Sequence, residues 1–273
     1  MNRRVKLRFA GRHALITGGS EGIGFAIARR LIMLNAGVTL VARNVAKLEH
    51  ARELLMSEVA GARVRILQLD VSDEDAVPRV LGAELEEQPI DYLINNAGYS
   101  RPGEFIRLGR DDFQRQIDVN FLAVIHVTRV ALAVLLNARD PHIVNIGSLA
   151  GVIAVYGQSA YCSSKFALYG LTDSLRAELR PLGIKVSIVL PPETETAMLE
   201  AERPYMPKAS AQLQSGVGRL SADEVALAVL SGMCTDKFEI VPGVLNRAAR
   251  ILGRIVPGSI RAYSDWIVRR NLP

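Results

Sequence analysis

Aromatic side chains make up only 5% of this 273-residue chain, too few for a stacking platform that tracks nucleic acid. Cysteine is scarcer still. Cys162 and Cys234 form neither a disulfide framework nor a metal-ligand spacing, and four scattered histidines add no ligand cluster. No metal site is expected. No unbroken run of about 18 apolar residues is present, so no membrane-spanning helix is expected. The N-terminal MNRRVKLRFAGRH is basic but lacks the apolar centre of a signal peptide, which predicts a cytoplasmic protein.

The net charge of +5 is unevenly placed. Residues 1–10 carry four basic side chains and no acid, and residues 244–273 carry six arginines against Asp265, so the body between them is net acidic. That is not the basic body of a nucleic-acid binder.

Along the chain, apolar strands alternate with helical patterns. The segment 13–17 reads as a buried strand, followed by Gly18-Gly19-Ser20-Glu21-Gly22-Ile23-Gly24 and a helix over 25–35. Glycines at 18, 22 and 24 allow a tight turn, close approach of a phosphate to the backbone, and close helix–sheet packing, with the helix N-terminus facing a pyrophosphate. Gly37 reads as the helix stop before a second strand, 37–42. Where an NAD-binding unit places an acid for the ribose 2′-hydroxyl, this chain has Ala42, Arg43 and, one turn on, Lys47, which favours NADP(H). The plainer reading of Arg43 and Lys47 is surface residues of the next helix, 45–60. A third strand (63–69) ends at Asp70-Val71, where Asp70 is placed to accept from an adenine amino group or to cap the helix expected over 73–87. A fourth strand (90–94) runs into Asn95-Asn96-Ala97-Gly98, small residues that leave room above a sheet.

A long helix is expected over 111–137, with the polar Asn120 in its middle. Then comes NIGSLAGVIAVYGQSAYCSSK, residues 145–165: the end of a fifth strand, a break at Gly147-Ser148, an apolar loop over 149–155, and a helix carrying Tyr161 and Lys165. Residues four apart on a helix are neighbours. The Lys165 ammonium is therefore expected to lower the Tyr161 pKa and make the phenol a better proton donor, while Ser148 reaches the same substrate oxygen. Asn120 is placed to hold a water against Lys165 as part of a proton path. A sixth strand (183–190), a polar proline-containing loop to about 220, a capped helix (221–233) and a seventh strand (238–241) follow. The alternation predicts a doubly wound, Rossmann-type seven-stranded parallel sheet with helices on both faces. Two units are expected: a dinucleotide-binding and catalytic body, 1–243, and a basic amphipathic helical tail, 244–273.

These motifs, in this order and at this spacing, resemble the short-chain dehydrogenase/reductase family over roughly residues 10–245. The resemblance implies hydride transfer between a nicotinamide and a carbonyl or alcohol carbon. It implies Tyr161 as general acid/base, Lys165 as ribose ligand, Ser148 as carbonyl anchor and Asn120 in a water relay. Cofactor contacts are implied for Gly18, Ser20, Glu21, Gly22, Ile23, Gly24, Arg43, Lys47, Asp70, Val71, Asn96, Ala97, Gly98, Tyr161, Lys165, Thr194 and Thr196. Pro191-Pro192-Glu193-Thr194-Glu195-Thr196, Leu40-Val41-Ala42-Arg43-Asn44 and Ile267-Val268-Arg269-Arg270 are similar to the branch that uses NADPH to reduce 3-ketodihydrosphingosine. Its eukaryotic members are typically membrane-attached, and the N-terminal anchor helix is not seen here.

The tail places Leu245, Ala248, Leu252 and Ile255 on one helical face and Arg247, Arg250 and Arg254 on another, with Tyr263 and Trp266 beyond. Such a face suits peripheral contact with an anionic membrane, or packing on the protein's own core or a second subunit. A homodimer or homotetramer is expected, through the 111–137 segment or the helix after Tyr161. The alternatives are the same chemistry on a 3-oxoacyl thioester, a steroid or a retinoid, and a non-catalytic NADP-binding scaffold. A serine hydrolase is excluded, because Gly147-Ser148-Leu149-Ala150 is not a nucleophile elbow and no histidine follows Ser148.

Overall fold

The computed structural model describes residues 7–215 and 218–271; the basic residues 1–6 lie outside them. β1 (His13–Thr17), β2 (Gly37–Ala42), β3 (Val64–Gln68), β4 (Tyr92–Asn95), β5 (His142–Ile146) and β6 (Lys185–Val189) are parallel. Two short strands, β7 (Thr194–Glu195) and β8 (Leu220–Ser221), pair only with each other. β9 (Glu239–Ile240) completes a seven-stranded sheet of order β3-β2-β1-β4-β5-β6-β9. Every residue of β1 is buried, as expected of a parallel strand covered on both faces. The order reverses between β1 and β4, which opens a crevice at the carboxyl ends of these strands.

The helices are α1 (Gly22–Met33), α2 (Val45–Glu58), α3 (Gly82–Glu87), α4 (Arg110–Ile117), α5 (Ala123–Leu135), α6 (Ser159–Leu179), α7 (Ala197–Glu202), α8 (Lys208–Ser215), α9 (Ala222–Cys234), α10 (Val244–Ile255) and α11 (Pro257–Asn271). One face of the sheet packs on Ile27, Leu31, Leu55 and Val229; the other packs on Leu85, Val127, Leu135 and Leu179. This is the doubly wound arrangement expected from the sequence, with the C-terminal helical extension. Ser221 and Glu224 close a reciprocal capping box at the start of α9. The tail is anchored by buried Ile267 and Asn246 and by a hydrogen bond from Asn271 to Gln212 (2.8 Å).

Several expectations need correction. The chain leaves α1 through a left-handed Asn35 (φ 62°), and Gly37 instead opens β2, where a Cβ would lie 2.5 Å from the His13 ring. Asp73 ties up the amides of Asp75 and Ala76, so the third helical segment starts late, as a π turn at Val77–Leu81 leading into α3. The polar loop after β6 holds two helices, α7 and α8; α7 is capped by Thr196, and Pro204 and Pro207 keep both too short to show a clear apolar period.

The long helix is continuous over Arg110–Leu135 but is widened by a π turn at Asp118–Leu122, which carries the buried Asn120. Contrary to expectation, these 26 residues are long and apolar enough, by length and composition, to cross a membrane. Here Ala123, Val127, Ala131 and Leu135 belong to the core beneath the sheet, although only 33% of the apolar window is buried.

Candidate active site

The crevice is floored by the turn between β1 and α1. Gly18 and Gly22 have left-handed backbones (φ 63° and 58°) that suit glycine. A Cβ on Gly24 would meet the Gly18 carbonyl at 2.4 Å, so α1 packs against the turn only because that position is bare. Thr17 Oγ1 accepts from the amides of Asn96 (2.9 Å) and Ala97 (3.0 Å). The Asn96 side chain donates back to the Thr17 and Gly18 carbonyls, each at 3.0 Å. The Asn96-Ala97-Gly98 segment thus braces the glycine turn. In the sequence Thr17 reads as the last residue of a strand that opens the glycine motif, with no sign of this bracing role. Ser20, Glu21 and Ile23 lie on the same turn at the start of α1.

At the β2 end, Arg43 and Lys47 are exposed. Lys47 Nζ is 2.7 Å from the Glu21 carboxylate, and Arg43 is 3.7 Å from Asp70. Both expected phosphate ligands therefore face an acid here. Asp70 accepts from the Ser72 amide (3.0 Å) and hydroxyl (2.6 Å). Burial works against its charge, but these bonds and Arg43 hold its carboxyl below the usual range. Val71 beside it is buried. Arg43, Asp70 and Ser72 line a groove of about 360 Å³ closed on the far side by Asp111, Arg115 and Asp118.

Ser148 stands two residues past the end of β5, after Gly147, and caps a short 3₁₀ turn, its hydroxyl accepting from the Ala150 amide (3.1 Å). Tyr161 and Lys165 lie one turn apart on α6. Lys165 is 4% exposed and donates to the Ile146 carbonyl at 2.9 Å. Its Nζ is 5.7 Å from the centre of the Tyr161 ring. The Ser148 hydroxyl faces the phenol, so serine, tyrosine and lysine meet at the end of β5.

The expected lowering of the Tyr161 pKa is not found. Burial first, with the nearby Glu202 charge second, pushes the phenol above its ordinary range, and Ser148 opposes this in part. Burial also lowers the Lys165 ammonium to about 8. Removing both groups from water disfavours both charged forms. Asn120 does not touch Lys165. Its amide donates to the Tyr99 carbonyl (2.8 Å) and Ser164 hydroxyl (3.0 Å) and accepts from the Tyr99 amide (2.8 Å).

The segment after β6 roofs the crevice. Thr196 Cγ2 lies 3.1 Å from where a Gly22 Cβ would stand, and Met198 Cε 3.6 Å from that of Gly98. The Thr194 and Thr196 hydroxyls are engaged within the roof itself, with the carbonyls of Pro192 and Thr194. From α7 the roof brings in Glu202, which the sequence reading did not single out because one acid in a polar segment carries no pattern. Desolvation lifts its carboxyl to about 7, Glu193 adds to the shift, and the Ser100 hydroxyl works against it.

A sheet reversing beside a bare glycine turn, with a phenol, an ammonium and a hydroxyl gathered beyond it, is the frame of a nucleotide-dependent oxidoreductase. The chain belongs to the short chain dehydrogenase family, which residues 12–206 match. It is 34% identical to 3-dehydrosphinganine reductase TSC10A of Arabidopsis thaliana, over 87% of this chain and 73% of that one. It is 28% identical to 3-ketodihydrosphingosine reductase of Dictyostelium discoideum, over 97% and 83%. Among solved structures it is similar to a short-chain dehydrogenase from Sphingobium yanoikuyae in complex with NADPH (TM-score 0.77, 28% identity, 92% and 95% covered).

Proposed function

We propose that this enzyme reduces the ketone of a long-chain sphingoid base, 3-ketodihydrosphingosine, with NADPH. The observation that carries this reading is the meeting of Ser148, Tyr161 and Lys165 at the end of β5, two strands from the glycine turn with β4 between. Likeness to reductases of that ketone over most of the chain supports the substrate. The bare positions at Gly18, Gly22 and Gly24 fit a pyrophosphate. The cations Arg43 and Lys47, with no acid at Ala42, fit a ribose 2′-phosphate. Asp70, Val71, Asn96, Ala97 and Gly98 flank the rest of the cofactor's path. When bound, NADPH supplies the hydride that reduces the carbonyl carbon.

The protein's part is to hold and protonate the oxygen. Ser148 Oγ donates a hydrogen bond to the carbonyl oxygen. The Tyr161 phenol gives that oxygen its proton. Burial keeps the phenol fully protonated in the resting site, so the proton is present before the carbonyl arrives. It leaves once alkoxide character develops nearby, when the Lys165 charge also counts most. Asn120 fixes the Tyr99 backbone and Ser164, one residue before Lys165, and so holds the segment through which the proton is replaced.

The tail fits a lipid substrate. Gly253 of α10 lets that helix sit on Ile153, with the Ile153 side chain 3.0 Å from the missing Cβ, so the tail borders the apolar loop beside Ser148. Leu245 (66%), Ile255 (70%) and Trp266 (49%) are exposed. We assign this face to peripheral contact with an anionic membrane, and the outer face of α5 to pairing of subunits. Cofactor absorbance tests the main reading: with 3-ketodihydrosphingosine in detergent, NADPH should be consumed much faster than NADH. Consumption with neither cofactor would refute it.

A further inference from the structure

Glu202 stands in the catalytic crevice with no cation of its own. Its charge acts on the Tyr161 phenol, and the Ser100 hydroxyl, itself buried and without a close hydrogen bond, turns toward it. The cations around it are directed elsewhere. Arg203, the next residue, is 3.4 Å from Glu200; Arg219 is 2.7 Å from Glu193; Arg101 stacks on Tyr205 and reaches Asp112 at 4.0 Å. Among the described residues no ion pair involves Glu202. A half-buried carboxyl at the edge of the crevice without a counter-charge is unfavourable. Nothing in the protonation of the ketone by Tyr161 uses it, and a second negative charge beside the phenol opposes any phenolate. Its placement makes sense if the missing positive charge arrives with the substrate.

We infer that Glu202 is the anchor for an ammonium group on the substrate, held beside the ketone that Tyr161 protonates. This rests on the proposed reduction and sharpens it: the preferred substrate is a 2-amino ketone, in which the ammonium is attached one carbon from the carbonyl. On binding, the cation pairs with the carboxylate, and Ser100 donates to the same group. Pairing also removes the charge that opposes phenolate formation at Tyr161, so an amino ketone gains in turnover as well as in affinity. A ketone without the amine leaves Glu202 half-buried and unpaired, or protonated.

The groups that face Glu202 define its titration. They are Tyr161 from α6, Ser100 from the segment after β4, and Glu193 ahead of β7, the last held by Arg219. With its carboxyl ionising at about 7, preference for the amino ketone should grow as pH rises through that value. The preference is the ratio of kcat/KM for 3-ketodihydrosphingosine to kcat/KM for the same-length ketone lacking the amine. Tyr161 and Lys165 serve both substrates and cancel in the ratio.

The test compares wild type with Glu202→Gln, which keeps the shape and the Ser100 contact but removes the charge. The wild-type ratio should exceed one and rise through neutrality. Glu202→Gln should lower kcat/KM for the amino ketone by about 10- to 100-fold, the range for a hydrogen bond to a charged group. The plain ketone, relieved of the charge that opposes the phenolate, should not lose rate and should gain up to about 5-fold, and the pH dependence of the ratio should flatten. Equal loss on both ketones, or no loss on the amino ketone, would overturn the inference. Should neither ketone be reduced by wild type, the proposed function fails, and binding tests the anchor separately. Calorimetric titration of the NADPH-loaded protein should then favour dodecylamine over dodecanol, and Glu202→Gln should erase that preference. Equal binding of the two by wild type would overturn it. Glu202→Asp should restore part of the preference, and a melting temperature close to wild type for each variant shows that the fold is intact.

Discussion

Lys165 points its ammonium at the Ile146 carbonyl, 2.9 Å away, with the centre of the Tyr161 ring 5.7 Å from Nζ. The lysine is thus tethered to the end of β5, and its charge is one helical turn from the phenol without a direct bond to it. Lys165→Met removes a charge in that buried position. Turnover should fall by about 100-fold or more, as for loss of an electrostatic contributor to the transition state. Because Lys165 is lowered to about 8, wild-type kcat should fall as pH rises past that value, where the ammonium is lost. Rate profiles against pH check this; an unchanged rate up to pH 10 in wild type would contradict it.

Arg43 and Lys47 engage Asp70 and Glu21, so a 2′-phosphate has to compete for them. Exposed pairs of this kind contribute little, and the competition is weak. Arg43→Ala with Lys47→Ala should weaken NADPH binding by about 10-fold or more while leaving NADH nearly unaffected. Glu21→Gln frees Lys47 and should favour NADPH by up to about 5-fold. Fluorescence titration with both cofactors reads the two effects.

Gly24 has no space for a methyl group, with the Gly18 carbonyl 2.4 Å and the Asn96 amide 2.5 Å from the Cβ position. Gly24→Ala should cost about 1–3 kcal/mol of stability and weaken either nicotinamide cofactor. Gly170, in the interior of α6, meets nothing within 4 Å. Gly170→Ala should stabilise by about 0.5–1 kcal/mol. Urea unfolding of both variants checks the contrast.

His142 is fully buried at the start of β5, paired with the Ser187 hydroxyl at 2.7 Å. Burial, then the Arg8 charge, lowers it to about 3. Its folded pKa is depressed, so the folded protein refuses a proton that the unfolded chain accepts below about 6.5. Stability is unaffected above that pH and falls by about 1.4 kcal/mol per unit as pH drops below it. His13, lowered to about 4 by burial and then Arg63, acts in the same direction. Glu202 acts in the opposite one, because its raised carboxyl takes up a proton in the folded state first. The variant His142→Gln should therefore lose about 1.4 kcal/mol per pH unit less than wild type between pH 6 and 4.5. Unfolding midpoints at several pH values give that difference; parallel slopes would contradict it.

Most of the fold was legible because its strands are buried on both faces and read as short apolar runs, with glycine and the Asn95 to Gly98 segment punctuating their ends. The site residues were legible for a related reason. Ser148, Tyr161 and Lys165 fall within one strand–loop–helix passage, so their proximity follows from local geometry. What stayed hidden depends on tertiary placement. The Tyr161 shift has the opposite sign to the one inferred from spacing, because burial, absent from a linear sequence, is its largest cause. Glu202 and Ser100 lie far apart in the chain and meet only when α7 folds over the crevice. The π turns at Val77–Leu81 and Asp118–Leu122 leave the apolar period almost intact and change only the local winding.

The central claim is that hydride reaches a ketone whose oxygen Tyr161 protonates. Incubating the enzyme with 3-ketodihydrosphingosine and NADPH deuterated at the transferable position, then locating the label by mass spectrometry, tests it most directly. One deuterium should appear on the former carbonyl carbon with wild type, and none with Tyr161→Phe, although that variant still binds NADPH. Labelled alcohol from Tyr161→Phe at the wild-type rate, or none from wild type, would contradict the account.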